Sequence, residues 1–88
     1  MHVDFFDWDD EDFEQGNTRH ILSAGFDPDE IEEAILTYRG PVARTRETDR
    51  PMIRTTTSDG EEIIIIFEIE ADDDLVVVRP ITAFPQED

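Results

Sequence analysis

The sequence contains no cysteine and no lysine, so its seven basic residues are all arginines. Without cysteine there is no disulfide framework, and we expect a fold that depends on packing alone, as suits a reducing compartment. The chain also lacks an apolar run of about 18 residues and a basic-then-apolar leader. We therefore expect a soluble, cytoplasmic protein without membrane contact. Its 88 residues, with no internal repeat or linker, predict a single domain over residues 1–88.

The acidic residues outnumber the basic ones by 24 to 7, which gives a net charge of −17. Three explanations compete. A disordered tail is the first, but a hydrophobic content of 38% argues against it. A basic partner is the second. The third, which we favour, is a salt-adapted organism, because about 1 M salt screens charge repulsion beyond about 3 Å.

The most apolar part of the chain lies at residues 63–69 and 75–78. Alternation along the first run places Ile63, Ile65, Phe67 and Ile69 on one face of a strand. The loop between the runs is short and acidic, so the two strands are expected to form an antiparallel hairpin. Pro80 cannot donate to a β-ladder, so we expect an edge or a bulge at that position.

The remaining elements are predicted from their end signals. A first helix is expected from Asp9 or Asp10 to about residue 23, and a second one has Asp27 as its cap and Pro28 at its first position. Two further strands are expected at residues 42–46 and 52–57, after a short first strand or extended segment at residues 4–8. The predicted fold is α+β: two N-terminal helices packed on one face of a four-stranded antiparallel sheet, in the order (β)ααββββ.

Positive charge is concentrated in residues 39–54, where five arginines stand against two acids, a net charge of +3. Arg44 and Arg46 alternate and so share a face. One interpretation is a phosphate-binding patch, since a guanidinium group holds phosphate oxygens in pairs. The other, which we favour, is pairing with acids on adjacent strands. The five arginines are Arg39, Arg44, Arg46, Arg50 and Arg54.

Asn17 and His20 are polar residues on an otherwise apolar helical stripe. They predict either a cleft in which His20 acts as an acid or base, or a hydrogen-bonded pair at the edge of the core, which we favour. The acidic clusters lack calcium-loop spacing, and cysteine is absent. We therefore expect no metal and no cofactor.

The second face of the predicted hairpin has no helix to cover it, because two helices hardly cover both sides of a sheet. An uncovered apolar surface of this kind predicts a homodimer or an interface with a protein partner. The interface residues that we expect are Ile64, Ile66, Val76 and Val78.

An ordered set of short motifs resembles the BrnT family, toxins of type II toxin–antitoxin pairs with a fold similar to the RelE ribonucleases. The motifs span almost the whole chain in matching order. They are F-D-W-D at residues 6–9, N-x-x-H at 17–20, G-F-D-P-D-E at 25–30, T-S-D-G at 57–60 and R-P-I-T-A at 79–83.

The resemblance implies cleavage of RNA by positioning, in which the RNA's own 2′-hydroxyl attacks and cationic side chains stabilise the charge on the phosphate. It also implies two partners, RNA and a cognate antitoxin. The implied catalytic residues are Arg50, Arg79 and His20. The implied RNA-binding residues are Asn17, Arg44, Arg46, Arg54 and Thr82.

The chain departs from the family at cationic positions. Ala24 stands at a basic position, Phe84 stands where an arginine is common, and residues 10–14 are acidic where the first helix is usually basic. We therefore expect ribonuclease activity that is weak or lost. The alternative is a non-enzymatic acidic interaction domain that forms a homodimer or binds a basic partner. Arginines that converge on His20 would favour the enzyme, and arginines that each pair with an acid would favour the interaction domain.

Overall fold

The computed structural model describes residues 1–86, and the side chains of all of these except residues 71 and 72. Within this part of the chain two helices and five strands confirm the expected α+β class. In chain order the elements are β1 (Phe5–Phe6), α1 (Asn17–Ser23), α2 (Pro28–Thr37), β2 (Ala43–Arg44), β3 (Pro51–Thr56), β4 (Glu62–Asp72) and β5 (Leu75–Pro85).

The strands form one mixed sheet in the order β1-β5-β4-β3-β2. The strands from β2 to β5 are antiparallel, as expected, whereas β1 pairs in parallel with β5, with residues 5–6 opposite residues 77–78. The backbone N–H groups of Asp4 and Asp7 each donate to a β5 carbonyl at 2.9 Å. The expected four-stranded antiparallel sheet is therefore corrected to a five-stranded mixed sheet. A two-residue strand is too short to show an alternation pattern, so its partner could not be recognised from the sequence.

The strands β4 and β5 form the expected antiparallel hairpin. Their register shifts in the middle, because Ile66 pairs with Thr82 whereas Phe67 pairs with Pro80, which leaves Ile81 as an extra residue. This is a β-bulge, and it lies beside the proline that lacks a backbone donor. The expectation of an edge or bulge at Pro80 is confirmed.

The helix α2 matches its sequence signals. The side chain of Asp27 accepts a hydrogen bond from the backbone N–H of Asp29 at 2.9 Å, and Pro28 occupies the first helical position. Ile31 and Ile35, one turn apart, are completely buried. A capped start and an apolar stripe thus suffice to specify this helix.

The helix α1 is shorter than expected, because it begins at Asn17 and not at Asp9 or Asp10. The carboxylate of Asp9 accepts the backbone N–H of Asn17 at 2.9 Å, so Asp9 caps the helix from eight residues away. A Cβ atom on Gly16 would lie 2.7 Å from the Cβ of Asp9, which explains why glycine stands at this close approach. The segment before Asn17 folds back as turns and leaves Phe13 half exposed.

The core lies between the two helices and one face of the sheet. Side chains from α1, α2, β3, β4 and β5 meet there and exclude water, which is the main favourable contribution to folding. The buried hydrophobic residues of this core are Ile21, Phe26, Ile31, Ala34, Ile35, Ile53, Ile63, Ile65, Phe67, Val78 and Ala83.

The opposite face of the sheet, which we call the open face, is covered by neither helix. Ile64 and Ile66 lie on it and are partly exposed, as expected. Val78 and Val76 do not, because Val78 is completely buried in the core and Val76 packs against it. The register explains this correction, since Val78 pairs with Ile69 and the odd-numbered residues of β4 point to the helical side. By register the open face includes Met52, Arg54, Ile64, Ile66, Glu68, Glu70, Val77, Arg79, Ile81, Thr82 and Phe84.

Candidate functional site

Arg79 is held by two carboxylates. Its Nη2 and Nη1 atoms lie 2.7 and 3.1 Å from the two carboxylate oxygens of Asp9, and Nη1 lies 3.5 Å from Asp7. The hydrogen bond from Arg79, together with the backbone N–H of Asn17, lowers the pKa of Asp9, and the same contact with Asp9 raises the pKa of Arg79. A bidentate pair of this kind is a strong, charge-assisted interaction.

Asn17 is buried and uses its side-chain amide to join three segments of the chain. Its Oδ1 accepts the backbone N–H of Asp9 at 2.8 Å, and its Nδ2 donates to the carbonyls of Asp7 and Pro80 at 2.9 and 2.7 Å. Both amide hydrogens are thereby used. Asn17 is thus a hydrogen-bonded polar residue at the edge of the core, as favoured, but its partners are backbone groups and not His20. Its implied role in RNA binding stays a prediction.

Asp7, Asp9, Asn17 and Arg79 together form what we call the clamp, which ties the segment after β1 and the start of α1 to β5. All four of its members belong to the motifs that carry the BrnT resemblance, at residues 6–9, 17–20 and 79–83. Sequence reasoning named Asn17 and Arg79 but missed the two aspartates as their partners. Their spacing of two on an extended segment places both carboxylates on one side, which is a usable signal.

A second carboxyl contact lies beside the clamp. The carboxyl group of Asp7 beside Glu70 raises the pKa of Glu70, because a neighbouring carboxylate disfavours the ionised form.

Arg50 and Arg44 are also paired. The Nε atom of Arg50 lies 3.0 Å from a carboxylate oxygen of Glu68, and Arg44 donates to the backbone carbonyl of Asp49 at 2.7 Å. By register Glu68 is also the cross-strand neighbour of Arg79. Arg50 and Arg79 therefore lie on either side of Glu68 on the open face. Glu68 pairs with Arg50, whereas Arg79 pairs with Asp9.

His20 lies in a different layer of the fold from Arg50 and Arg79. It is exposed on α1, in the helical layer, whereas Arg50 and Arg79 belong to the opposite side of the sheet. The implied catalytic set of Arg50, Arg79 and His20 is therefore not brought together in one concave site.

The open face carries a groove of about 520 Å³ beneath the β2–β3 turn, which we call the open-face groove. Its floor is apolar, and arginines and threonines of the turn form its rim. Of the implied RNA-binding residues, Arg44, Arg46 and Thr82 line this groove, and Arg54 lies in a smaller adjoining depression. The floor consists of Met52, Ile66, Ile81 and Phe84, and the rim of Arg44, Thr45, Arg46, Glu47, Thr48 and Arg50.

The β2–β3 turn that overhangs the groove is well defined. Thr45 donates its backbone N–H to the carbonyl of Arg50 at 2.9 Å, and its hydroxyl lies 2.7 Å from that of Thr48. Arg50 returns its own N–H to the Thr45 hydroxyl at 3.1 Å. These bonds fix the backbone from which the rim arginines project, so the groove has a defined wall.

Among residues 1–86 no group of three or more histidine, cysteine, aspartate or glutamate side chains is arranged to hold a metal ion. Neither described helix has the length and apolarity needed to cross a membrane.

The fold and the site together define an α+β domain with one helix-covered sheet face and one face that carries an arginine-rimmed groove. No protein-family model matches the chain, and searches of curated proteins and of solved structures return no match.

Proposed function

We propose that the chain is a BrnT-like domain of a toxin–antitoxin system that binds a protein partner and has lost ribonuclease activity. The order of two helices followed by four antiparallel strands supports the BrnT-like, RelE-like assignment. The clamp supports it as well, because it gives the motif residues a common structural role in holding this fold together.

The observation that carries the loss of activity is the pairing of the two implied catalytic arginines. A ribonuclease that works by electrostatic stabilisation needs cations aimed at the phosphate and free to bind it. Arg79 already holds Asp9 at 2.7 Å, and Arg50 holds Glu68 at 3.0 Å. A phosphate would have to displace a carboxylate at each position, and His20 lies on α1, in the helical layer, and not on the open face with these arginines.

The net charge of the whole chain also argues against RNA cleavage. A net charge of −17 repels RNA over about 10 Å at 0.1 M salt, and this repulsion is screened only at much higher ionic strength. The absence of lysine and the excess of acid support an origin in a salt-adapted organism, where such screening operates in the cytoplasm.

The test is expression in a bacterial host together with incubation of the purified protein with RNA at high salt. We expect neither growth arrest nor cleavage from the wild-type chain. Growth arrest that disappears in the R50A/R79A double variant would overturn the proposal. The variant E68Q provides a matched probe, because it removes the negative partner of Arg50 while it keeps the size of the side chain.

Partner binding is tested separately, by co-purification with a small ribbon-helix-helix protein encoded next to this chain. We expect a stable complex with the wild-type chain and also with R50A, since Arg50 lies outside the clamp and binding does not require this implied catalytic residue. A ribbon-helix-helix neighbour that fails to bind would remove the antitoxin part of the proposal.

A second candidate is an interaction domain for a basic partner. The observation that favours it is the exposed acidic surface of residues 10–14 and of α2, where Asp29 and Glu33 face solvent. Binding to a lysine-rich peptide would then weaken steeply as salt rises, because exposed charge pairs are screened. Binding that is insensitive to salt would count against this candidate.

A further inference from the structure

Residues 10–15 form an exposed turn that neither the core nor the clamp uses. The backbone N–H of Phe13 donates to the carbonyl of Asp10 at 3.0 Å, and the N–H of Gly16 donates to the carbonyl of Phe13 at 3.0 Å. The turn is thus internally bonded, yet the Phe13 side chain remains 51% exposed. Four acidic residues flank Phe13 in the sequence, and we call the whole feature the acidic turn. They are Asp10, Glu11, Asp12 and Glu14.

The open-face groove has the complementary properties. Its apolar floor suits a bulky hydrophobic side chain, and its volume of about 520 Å³ lies within the usual range of about 300–1,000 Å³ for ligand pockets. Three arginines stand on its rim, against one glutamate among the lining residues. Arg46 is exposed and forms no ion pair within the described part of the chain. It is therefore free to meet a carboxylate from outside.

The two features are not bonded to each other within one chain. No hydrogen bond or ion pair of the described residues joins positions 10–15 to a residue that lines the groove. The groove is formed by residues between positions 44 and 84, on or beside the open face, whereas the acidic turn lies before α1, directly after Asp9. Phe13 and the groove are both exposed, so each is accessible to a second molecule.

We propose that the acidic turn of one copy docks in the open-face groove of a second copy, with Phe13 on the apolar floor and its flanking carboxylates against the rim arginines. Charge complementarity selects this pairing, since residues 39–54 carry a net charge of +3 in a chain of −17. Long-range repulsion between two such chains opposes the contact at low salt. High salt screens this repulsion and also weakens the contacts between the carboxylates and the rim arginines, while the apolar contact persists. Repulsion between two chains of −17 each involves many more charges than the few rim contacts, so self-association increases with ionic strength.

Light scattering on the purified chain between about 0.1 and 2 M salt tests the contact, because the Debye length falls from about 10 Å to below about 3 Å over this range. We expect a monomer at the low end and a dimer or higher oligomer at the high end. The variants F13A and R46E should self-associate more weakly, F13A by about 30-fold or more, as for the loss of a central aromatic anchor. The matched controls L22A and R39E, at exposed positions outside both features, should behave like the wild type.

A mixing experiment separates this contact from a face-to-face dimer. F13A keeps its groove, and F84D keeps its turn but places a charge on the groove floor. Each variant alone should be monomeric in 2 M salt, and their mixture should give a 1:1 complex through the one intact contact. Circular dichroism confirms that both variants are folded, and F13S replaces F13A if that variant is not.

Three outcomes would overturn the inference: a wild-type chain that is monomeric at every salt concentration, F13A that associates like the wild type, or a mixture that stays monomeric. The contact needs neither RNA cleavage nor an antitoxin. Its failure would therefore leave the proposed function in place, and growth arrest by the wild type would not affect the contact.

Discussion

Replacing Asn17 by alanine removes the three side-chain hydrogen bonds that join β1, α1 and β5. Each such bond contributes about 1 kcal/mol net, so the free energy of unfolding should fall by about 2–4 kcal/mol. The total for a chain of this length is about 4–13 kcal/mol, so the loss is a large fraction of it. The expected loss of stability is this large because of burial. The carbonyls of Asp7 and Pro80 would lose their hydrogen-bond donor where water has little access.

The variant N17D sharpens the test, because it keeps the shape and the Oδ1 acceptor but places an oxygen where Nδ2 donated. A carboxylate oxygen would then face two carbonyl oxygens, and we expect N17D to be at least as destabilised as N17A at pH 7. Protonation of the new aspartate restores one donor, so the difference should shrink in acid.

The assay is urea unfolding followed by the fluorescence of Trp8, which is the only tryptophan and lies next to the clamp. With a slope of about 1 kcal/mol per molar urea, the midpoint should fall by roughly 2 M or more. The control is Q15A, at an exposed position two residues before Asn17, with an expected change within about 0.5 kcal/mol. A loss below about 1 kcal/mol in N17A, or an N17D variant as stable as the wild type at pH 7, would refute the structural role of Asn17.

The other predictions concern packing and titration. G16A should lower the urea midpoint and weaken the cap of α1, because the added Cβ would lie 2.7 Å from Asp9. F67A should cost about 3–5 kcal/mol in the same assay, whereas I69A on the same strand, which is half exposed, should cost much less. The lowered pKa of Asp9 stabilises the fold above the ordinary value of 3.8, and this contribution should disappear as the pH falls below it. The pKa of Glu70 is raised, so its contribution is present below its ordinary value of 4.5 and is lost as the pH rises; E70Q should therefore raise the thermal midpoint at pH 7 but not at pH 4.

The clamp changes how the BrnT resemblance is interpreted. Motif residues that suggested contacts with RNA, Asn17 and Arg79, are bonded to Asp7 and Asp9 within the chain. These two residues therefore have a structural role in this chain. Exposed arginines without an ion pair among the described residues are Arg46 on the groove rim and Arg19, Arg39 and Arg54 elsewhere.

Local patterns predicted much of the fold. The helix α2 follows from a cap at Asp27, a proline at Pro28 and an apolar stripe, all within one short segment. The β4–β5 hairpin follows from alternation and from the acidic loop that joins its strands. The bulge at Pro80 follows from a missing backbone donor. Each of these depends on neighbours in the chain, which is why the sequence was sufficient.

Other features depended on contacts between distant residues. The helix α1 begins at Asn17 because Asp9 caps it across a turn, and β1 has a strand partner because it meets β5 some 70 residues later. Val78 faces the core because its register with β4 places it there, and not because of its own neighbours.

The sequence by itself determined the acidic character of the chain, the α+β class, one helix and the central hairpin, because composition, capping and alternation act over a few residues. Only the tertiary structure decided which carboxylate neutralises which arginine and that His20 stands apart from them. The physical reason is that an ion pair depends on side chains brought within about 4 Å by the fold. No local pattern in this sequence specifies that distance.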